Sequence, residues 1–134
     1  MIRQSFFVPK LDWEVTVFYN ADERSADEVL DAIERMGCGD DTYFSARKIL
    51  MSDCENSGFT YSNLHDRQTV ITITRATSQK EFANTWFHEV MHCAVHIATA
   101  IRIDYQGEDI AYIGGFIAGE MQKVAGHIMC PDCA

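Results

Sequence analysis

The chain has 134 residues, 47% of them hydrophobic, which is enough for one buried core and too little for two ordinary domains. Lys and Arg number 11 and Asp and Glu number 20, so the formal net charge is −9. Because nucleic acids and anionic membranes are bound through basic surfaces, this charge argues against both as partners. We expect a single domain over residues 1–134, with the acidic residues serving solubility.

The N-terminal region and the cysteines indicate an intracellular protein. Residues 1–20 mix polar and charged side chains among the apolar ones, so they lack the hydrophobic core of a signal peptide. No later run approaches the length of a transmembrane helix. The cysteines are odd in number and lack the regular spacing of a secreted disulfide scaffold. We therefore expect a reducing, cytoplasmic location.

The first half of the chain predicts a strand, a helix and an irregular region. Residues 5–19 are rich in Phe, Val, Trp and Tyr and alternate in part, which is typical of a strand, and Pro9 marks a break or an edge. Residues 25–36 carry apolar side chains at helical spacing and are closed by Gly37, which predicts an amphipathic helix. Residues 38–64 contain Gly, Asp, Asn and Ser clusters, which predict one or two short strands joined by loops.

The second half predicts one strand and two long helices. Residues 69–75, TVITITR, are β-branched and alternate strictly, as a strand does. Ser78 and Glu81 form a capping box, which begins a long helix near Gln79. The buried stripe of this helix consists of Phe82, Trp86, Val90, Cys93, Ile97 and Ile101. A polar break then leads to a second helix over residues 108–126.

These elements predict an α+β domain of zincin-like architecture. We expect a small, twisted, mostly antiparallel sheet with one N-terminal helix, followed by two long C-terminal helices with a metal site between them. In the second of these helices Gly115 and Gly119 lie four residues apart, a spacing that predicts the close approach of another backbone.

Residues 88–92 read His-Glu-Val-Met-His within the first long helix. Side chains four residues apart project from the same face of a helix, so His88 and His92 can bind one tetrahedral zinc ion. Glu89 is offset by about 100° around the helix, which places it beside the ion, where it can accept a proton from zinc-bound water. We therefore predict a Zn²⁺ site with Glu89 as general base.

A third protein ligand would leave one coordination position open for water. His96 continues the four-residue series, but it lies about 6 Å further along the helix than His92. We therefore expect it to orient a ligand or to pack rather than to bind the ion. The metzincin pattern is excluded, because it needs a glycine and a histidine at the positions held by Val95 and Ala98.

Two histidines on one helix and Glu108 at the start of the next resemble the arrangement of gluzincin peptidases. The order E-x-x-A-Y-x-x-G also resembles that of small H-E-x-x-H proteins common in phages and prophages; it is carried by Glu108, Ala111, Tyr112 and Gly115. The resemblance covers about residues 69–120 and implies Glu108 as the third zinc ligand. Glu120 and Asp109 remain open as alternatives.

The predicted helices set a geometric condition on Glu108. If the first long helix runs straight to Arg102, the start of the second lies about 15 Å from His92, and Glu120 stands closer. We therefore expect the first helix to end early or the connection to fold back. In gluzincins the residue four after the ligating Glu often orients a metal-bound histidine. Tyr112 stands there in place of the usual Asp, so its phenol could instead stabilise an oxyanion or simply pack.

The resemblance implies a zinc-dependent metallopeptidase that acts on a peptide or protein in a bacterial or phage-infected cell. The strand over residues 69–75 could offer its edge to an extended peptide. Two alternatives stay open: a zinc-stabilised binding module without catalysis, and a zinc hydrolase of a non-peptide amide.

The C-terminal residues 130–133 form a C-x-x-C pair. Cys130 and Cys133 could act as a redox pair, or bind a second zinc with His127 and either Cys38 or Cys54. Tails of this kind are usually mobile and inert, and we expect that here. Cys93 falls on the apolar stripe and is expected to be a small core residue.

Overall fold

A computed structural model describes residues 1–129 of the chain. Four strands and four α-helices lie in this part. The strands are β1 (Ile2–Val8), β2 (Trp13–Ala21), β3 (Gly58–Asn63) and β4 (Gln68–Thr74). The helices are α1 (Ala26–Arg35), α2 (Asp40–Met51), α3 (Gln79–Ile101) and α4 (Glu108–Met129), and a short 3-10 turn, Glu23–Ser25, precedes α1.

The strands form one mixed sheet in the order β1-β2-β4-β3. The outer pairs, β1 with β2 and β3 with β4, are antiparallel, whereas the central strands β2 and β4 are parallel. The fold is therefore α+β, as expected, but the predicted mostly antiparallel sheet has a parallel pair at its centre. The chain leaves β2, crosses through α1 and α2, and returns as β3 and β4, which makes β2 and β4 run in the same direction.

Helices cover both faces of the sheet and create two cores. Successive side chains of a strand point to opposite faces, so β4 sends Ile71 and Ile73 toward α3 and α4 and Val70 toward α1 and α2. All of β4 after its first residue is buried. This double burial agrees with the composition of residues 69–74, which are only threonine, valine and isoleucine and carry no charge.

The predicted strand over residues 5–19 is a hairpin of β1 and β2. Pro9 does mark the break, and Lys10 and Asp12 in the connection adopt positive φ angles of 68° and 50°. The predictions of a helix over residues 25–36 and a strand over residues 69–75 are confirmed by α1 and β4.

Residues 40–51 were expected to contribute strands or loops, and that expectation is wrong because they form α2. This helix buries only Ala46 and Leu50, so its apolar periodicity is weak in the sequence.

The prediction of close backbone approach at Gly115 and Gly119 is also wrong. A Cβ atom built at either position meets nothing within 4 Å, and it is Gly114 that faces α3, with its built Cβ 3.8 Å from that of Ala94.

Helix α3 begins as predicted, with the backbone N–H of Glu81 donating to the Ser78 hydroxyl at 3.1 Å. It then runs unbroken to Ile101, and Arg102 ends it in the left-handed conformation at φ 60°. Of the two expected alternatives, an early end of this helix is therefore wrong, since Ile97 and Ala98 continue its buried stripe. The connection does fold back, because Gly114 of α4 packs against Ala94 of α3. Among residues 1–129 no helix combines the length and apolar character needed to cross a bilayer.

Candidate metal centre

The imidazoles of His88 and His92 converge at the surface of α3. Their Nε2 atoms are 3.1 Å apart and both side chains are exposed. Two nitrogen ligands of a tetrahedral zinc, each about 2.0–2.1 Å from the ion, lie about 3.3 Å from one another. The separation of the two nitrogens is thus close to that of a pair of zinc ligands. Without a cation, the same spacing lets the N–H of one ring donate to the other.

Glu89 lies beside this pair but is buried between α3 and the edge strand β3. The residue is only 3% exposed, and the hydroxyl of Thr60 on β3 lies 3.0 Å from its Oε1. Burial raises the pKa of the Glu89 carboxyl, against the opposing effects of the Thr60 hydrogen bond and of the two imidazoles. A carboxylate with a raised pKa is a better proton acceptor at neutral pH, as a general base requires.

The face of β3 beneath α3 carries three small residues at alternate positions: Gly58, Thr60 and Ser62. Thr60 contacts Glu89, and the Ser62 hydroxyl lies 2.7 Å from Nδ1 of His96. None of these three residues was among the site residues predicted from the sequence. The available signal was their alternation with Phe59 and Tyr61, which indicates a strand with one apolar face and one face of small residues.

His96 is held by β3. Its ring centre lies 6.3 Å from that of His92, compared with 4.7 Å between His88 and His92. Ser62 also contacts the hydroxyl of Thr69 at 2.7 Å, which extends the hydrogen-bond network into the core. Burial and then the nearby His92 lower the pKa of His96. This half-buried position agrees with the expected orienting or packing role.

The acidic residues of α4 are not assembled with the histidine pair. Within residues 1–129 no group of three or more His, Cys, Asp or Glu side chains is placed to hold a metal ion. Glu108 and Asp109 are exposed at the start of α4, and Tyr112 is 72% exposed. Nζ of Lys123 donates to the Glu120 carboxylate at 2.7 Å. The backbone carbonyl of Glu120 accepts a hydrogen bond from the Gln4 side chain on β1, which is the edge strand opposite β3.

The position of α4 explains this separation. Ala94 of α3 faces Gly114 of α4, and Ala94 comes two residues after His92, which is about 200° around the helix. β3 and α4 therefore flank α3 on different sides, and the histidines turn away from α4. The structure brings together His88, Glu89 and His92, while ligation by Glu108 and a role for Tyr112 stay predictions.

A shallow depression borders the histidine pair on the outer face of α3. It is lined by Asn84, Phe87, His88, Met91, His92 and Val95. Phe87 and Met91 are 54% and 59% exposed. The pair therefore has an open apolar surface beside it, on which part of a ligand could rest.

The expected core role of Cys93 is confirmed, since it is fully buried and burial raises its pKa to about 12.

Cys130 and Cys133 lie outside the described residues. Of the partners suggested for them, Cys38 packs on the α1–α2 face of the sheet, whereas His127 belongs to α4 on the other face. The described residues thus do not place these two partners together.

The candidate centre accordingly consists of His88, Glu89 and His92 on α3, with β3 packed beneath them. Comparison of the chain with protein-family models, with curated proteins and with solved structures finds no match.

Proposed function

We propose that this chain is a zinc-dependent hydrolase that cleaves peptide bonds, with His88 and His92 as metal ligands and Glu89 as general base. The supporting observation is the 3.1 Å separation of the two Nε2 atoms beside a buried carboxylate. A bound zinc ion would supply Lewis acidity, lowering the pKa of the attacking water and polarising the scissile carbonyl.

In this proposal Glu89 takes the proton of the attacking water and passes it to the leaving amine. Its position next to His88 in the chain keeps the carboxylate close to the metal ligands, and its burial keeps bulk water from solvating it. Both features favour proton transfer by a side chain whose pKa is raised by burial.

The peptide substrate needs a different strand edge from the one predicted. β4 lies inside the sheet, paired with β2 and β3, so its TVITITR segment has no free edge and that prediction is wrong. Among the described strands the edge next to α3 is β3, which pairs only with β4. We propose that an extended peptide adds to the outer side of β3 by main-chain hydrogen bonds, alongside the histidine pair.

Glu108 remains our proposed third ligand. Because it is exposed at the start of α4, its ligation requires the connection between α3 and α4 to rearrange when metal binds. Asp109 and Glu120 are the alternatives, and Glu120 would have to give up its contact with Lys123. Tyr112, one turn after Glu108, would then be a candidate to stabilise the oxyanion.

One observation favours a second candidate function. A catalytic zinc ion needs three protein ligands, and among residues 1–129 no group of three or more His, Cys, Asp or Glu side chains is placed to hold a metal ion. The chain would then be a zinc-stabilised binding module.

Zinc content and hydrolysis of a fluorogenic peptide library, measured on the wild type and on Glu89→Gln, separate the two functions. Hydrolysis that Glu89→Gln abolishes while zinc is retained supports the peptidase. Stoichiometric zinc with no cleavage of peptides or of simple amides supports the binding module, and cleavage of amides alone supports a non-peptide hydrolase.

A further inference from the structure

Thr60 makes two contacts with Glu89. Its Oγ1 lies 3.0 Å from the carboxylate oxygen Oε1 and 3.3 Å from the backbone carbonyl oxygen of the same residue. A hydroxyl has one proton to donate, and an ionised carboxylate is the stronger of the two acceptors. The threonine therefore ties the Glu89 side chain to the middle of β3.

Gly58 makes this contact possible. A Cβ atom built at Gly58 would lie 2.7 Å from the carbonyl oxygen of Thr72, 3.0 Å from Cγ of Glu89 and 3.1 Å from Cγ2 of Thr85. The first of these is a backbone atom in the neighbouring strand, which cannot move aside without disturbing the sheet. Only glycine fits there, and its missing side chain lets the methylene groups of Glu89 lie against the strand.

The contact leaves one carboxylate oxygen free. Among residues 1–129 Oε1 accepts from Thr60, while Oε2 has no hydrogen-bond donor. A glutamate has three side-chain torsions, so an untethered carboxylate would sample several orientations. Held by one oxygen, it presents the other in a restricted set of directions, which is what a base in a preorganised site needs.

We propose that Thr60 is a positioning residue for Glu89: its hydroxyl holds Oε1, Gly58 provides the room, and Oε2 is left to accept the proton. The catalytic consequence rests on the proposed function. The hold of Thr60 on the carboxylate does not, because it can be observed in the metal-free protein.

The test compares Thr60→Val, which keeps the shape and removes the hydroxyl, with Thr60→Ser, which keeps the hydroxyl. Thr16→Val is the matched control: Thr16 lies on β2, which does not pair with β3, and its hydroxyl lies 3.1 Å from that of Ser5. Crystal structures of the metal-free proteins report the Glu89 side chain. Zinc affinity, kcat and KM on a cleaved peptide report the site. Thermal unfolding shows that each variant is folded.

In Thr60→Val we expect Glu89 to occupy more than one rotamer and kcat to fall about 10–100-fold, with KM and zinc affinity within about twofold of wild type. Thr60→Ser and Thr16→Val should keep the wild-type rotamer and kcat. An unchanged Glu89 rotamer in Thr60→Val overturns the proposal, and so does a Thr60→Ser variant as impaired as Thr60→Val. If the wild type cleaves no peptide, the proposed function fails, and the rotamers alone still decide whether Thr60 holds Glu89.

Discussion

His92 and Ala94 project from opposite sides of α3, Ala94 against Gly114 of α4 and His92 on the side away from it. This relationship determines which residues can complete the candidate centre. Groups on β3 are already in contact with the helix face next to the histidines, whereas acids on α4 must be brought around the helix.

The proposed role of Glu89 as general base predicts that Glu89→Gln lowers kcat by about 10²–10⁴-fold, the usual contribution of general acid–base catalysis. Zinc affinity should stay within about twofold of wild type, because the amide replaces a group that is not a ligand. Glu23→Gln, on an exposed turn, is the control. A Glu89→Gln variant with wild-type kcat would remove Glu89 from the mechanism.

The same carboxylate predicts a pH-dependent stability difference in the metal-free protein. Because burial raises the folded-state pKa of Glu89 above its ordinary value of 4.5, protonated Glu89 is favoured by folding, and its contribution to stability is present below about pH 4.5. That contribution is lost as the pH rises through the folded-state pKa. Glu89→Gln, which stays neutral, should therefore gain stability relative to wild type from pH 4.5 upward. Urea unfolding at a series of pH values checks this, and a constant difference across the range would contradict it.

The contact between β3 and α3 predicts opposite effects for two glycine substitutions. Gly58→Ala should destabilise the fold by about 1–3 kcal/mol, because the added methyl meets the side chains of Thr85 and Glu89 on α3 as well as the carbonyl oxygen of Thr72 on β4. Gly115→Ala should stabilise it by about 0.5–1 kcal/mol, because its Cβ meets nothing within 4 Å in the α4 helix. Denaturant unfolding of both variants measures the two effects. Equal effects of the two substitutions would mean that β3 does not lie this close to α3.

The third ligand is tested by Glu108→Ala and Glu120→Ala. Loss of a residue that only contacts a metal ligand weakens metal binding by about 10–100-fold. If Glu108 binds the ion directly, Glu108→Ala should weaken zinc binding by more than that. Glu120→Ala should leave zinc affinity unchanged, since its carboxylate is engaged by Lys123. Isothermal titration of each variant with zinc measures the two affinities. The reverse pattern would assign the ligand to Glu120, and no effect from either would favour the two-ligand binding module.

What the sequence predicted well depends on local patterns. The alternation of residues 69–75 and the capping residue Ser78 are properties of a few neighbouring positions, and the structure contains both β4 and the start of α3. Helix α2 was missed because its two buried residues give too weak a periodic signal. A local pattern is thus sufficient only where enough of its residues are buried.

The supporting residues of the site could not be predicted in the same way. Thr60 contacts Glu89 across 29 positions of sequence, and that contact depends on the register of β3 with β4 and on the packing of α3 above them. The length of α3, by contrast, was visible in the sequence, because the predicted apolar stripe reaches Ile101, where the helix ends.

Zinc binding to His88 and His92 is the central claim, and zinc content per chain tests it most directly. The measurement uses a chain carrying Cys130→Ser and Cys133→Ser, so that the C-x-x-C pair cannot contribute. We predict one zinc ion per chain, lost in His88→Ala and in His92→Ala and kept in His65→Ala, whose side chain is 97% exposed in a turn. Failure of the parent chain to bind zinc, or retention of zinc by either His88→Ala or His92→Ala, would contradict it.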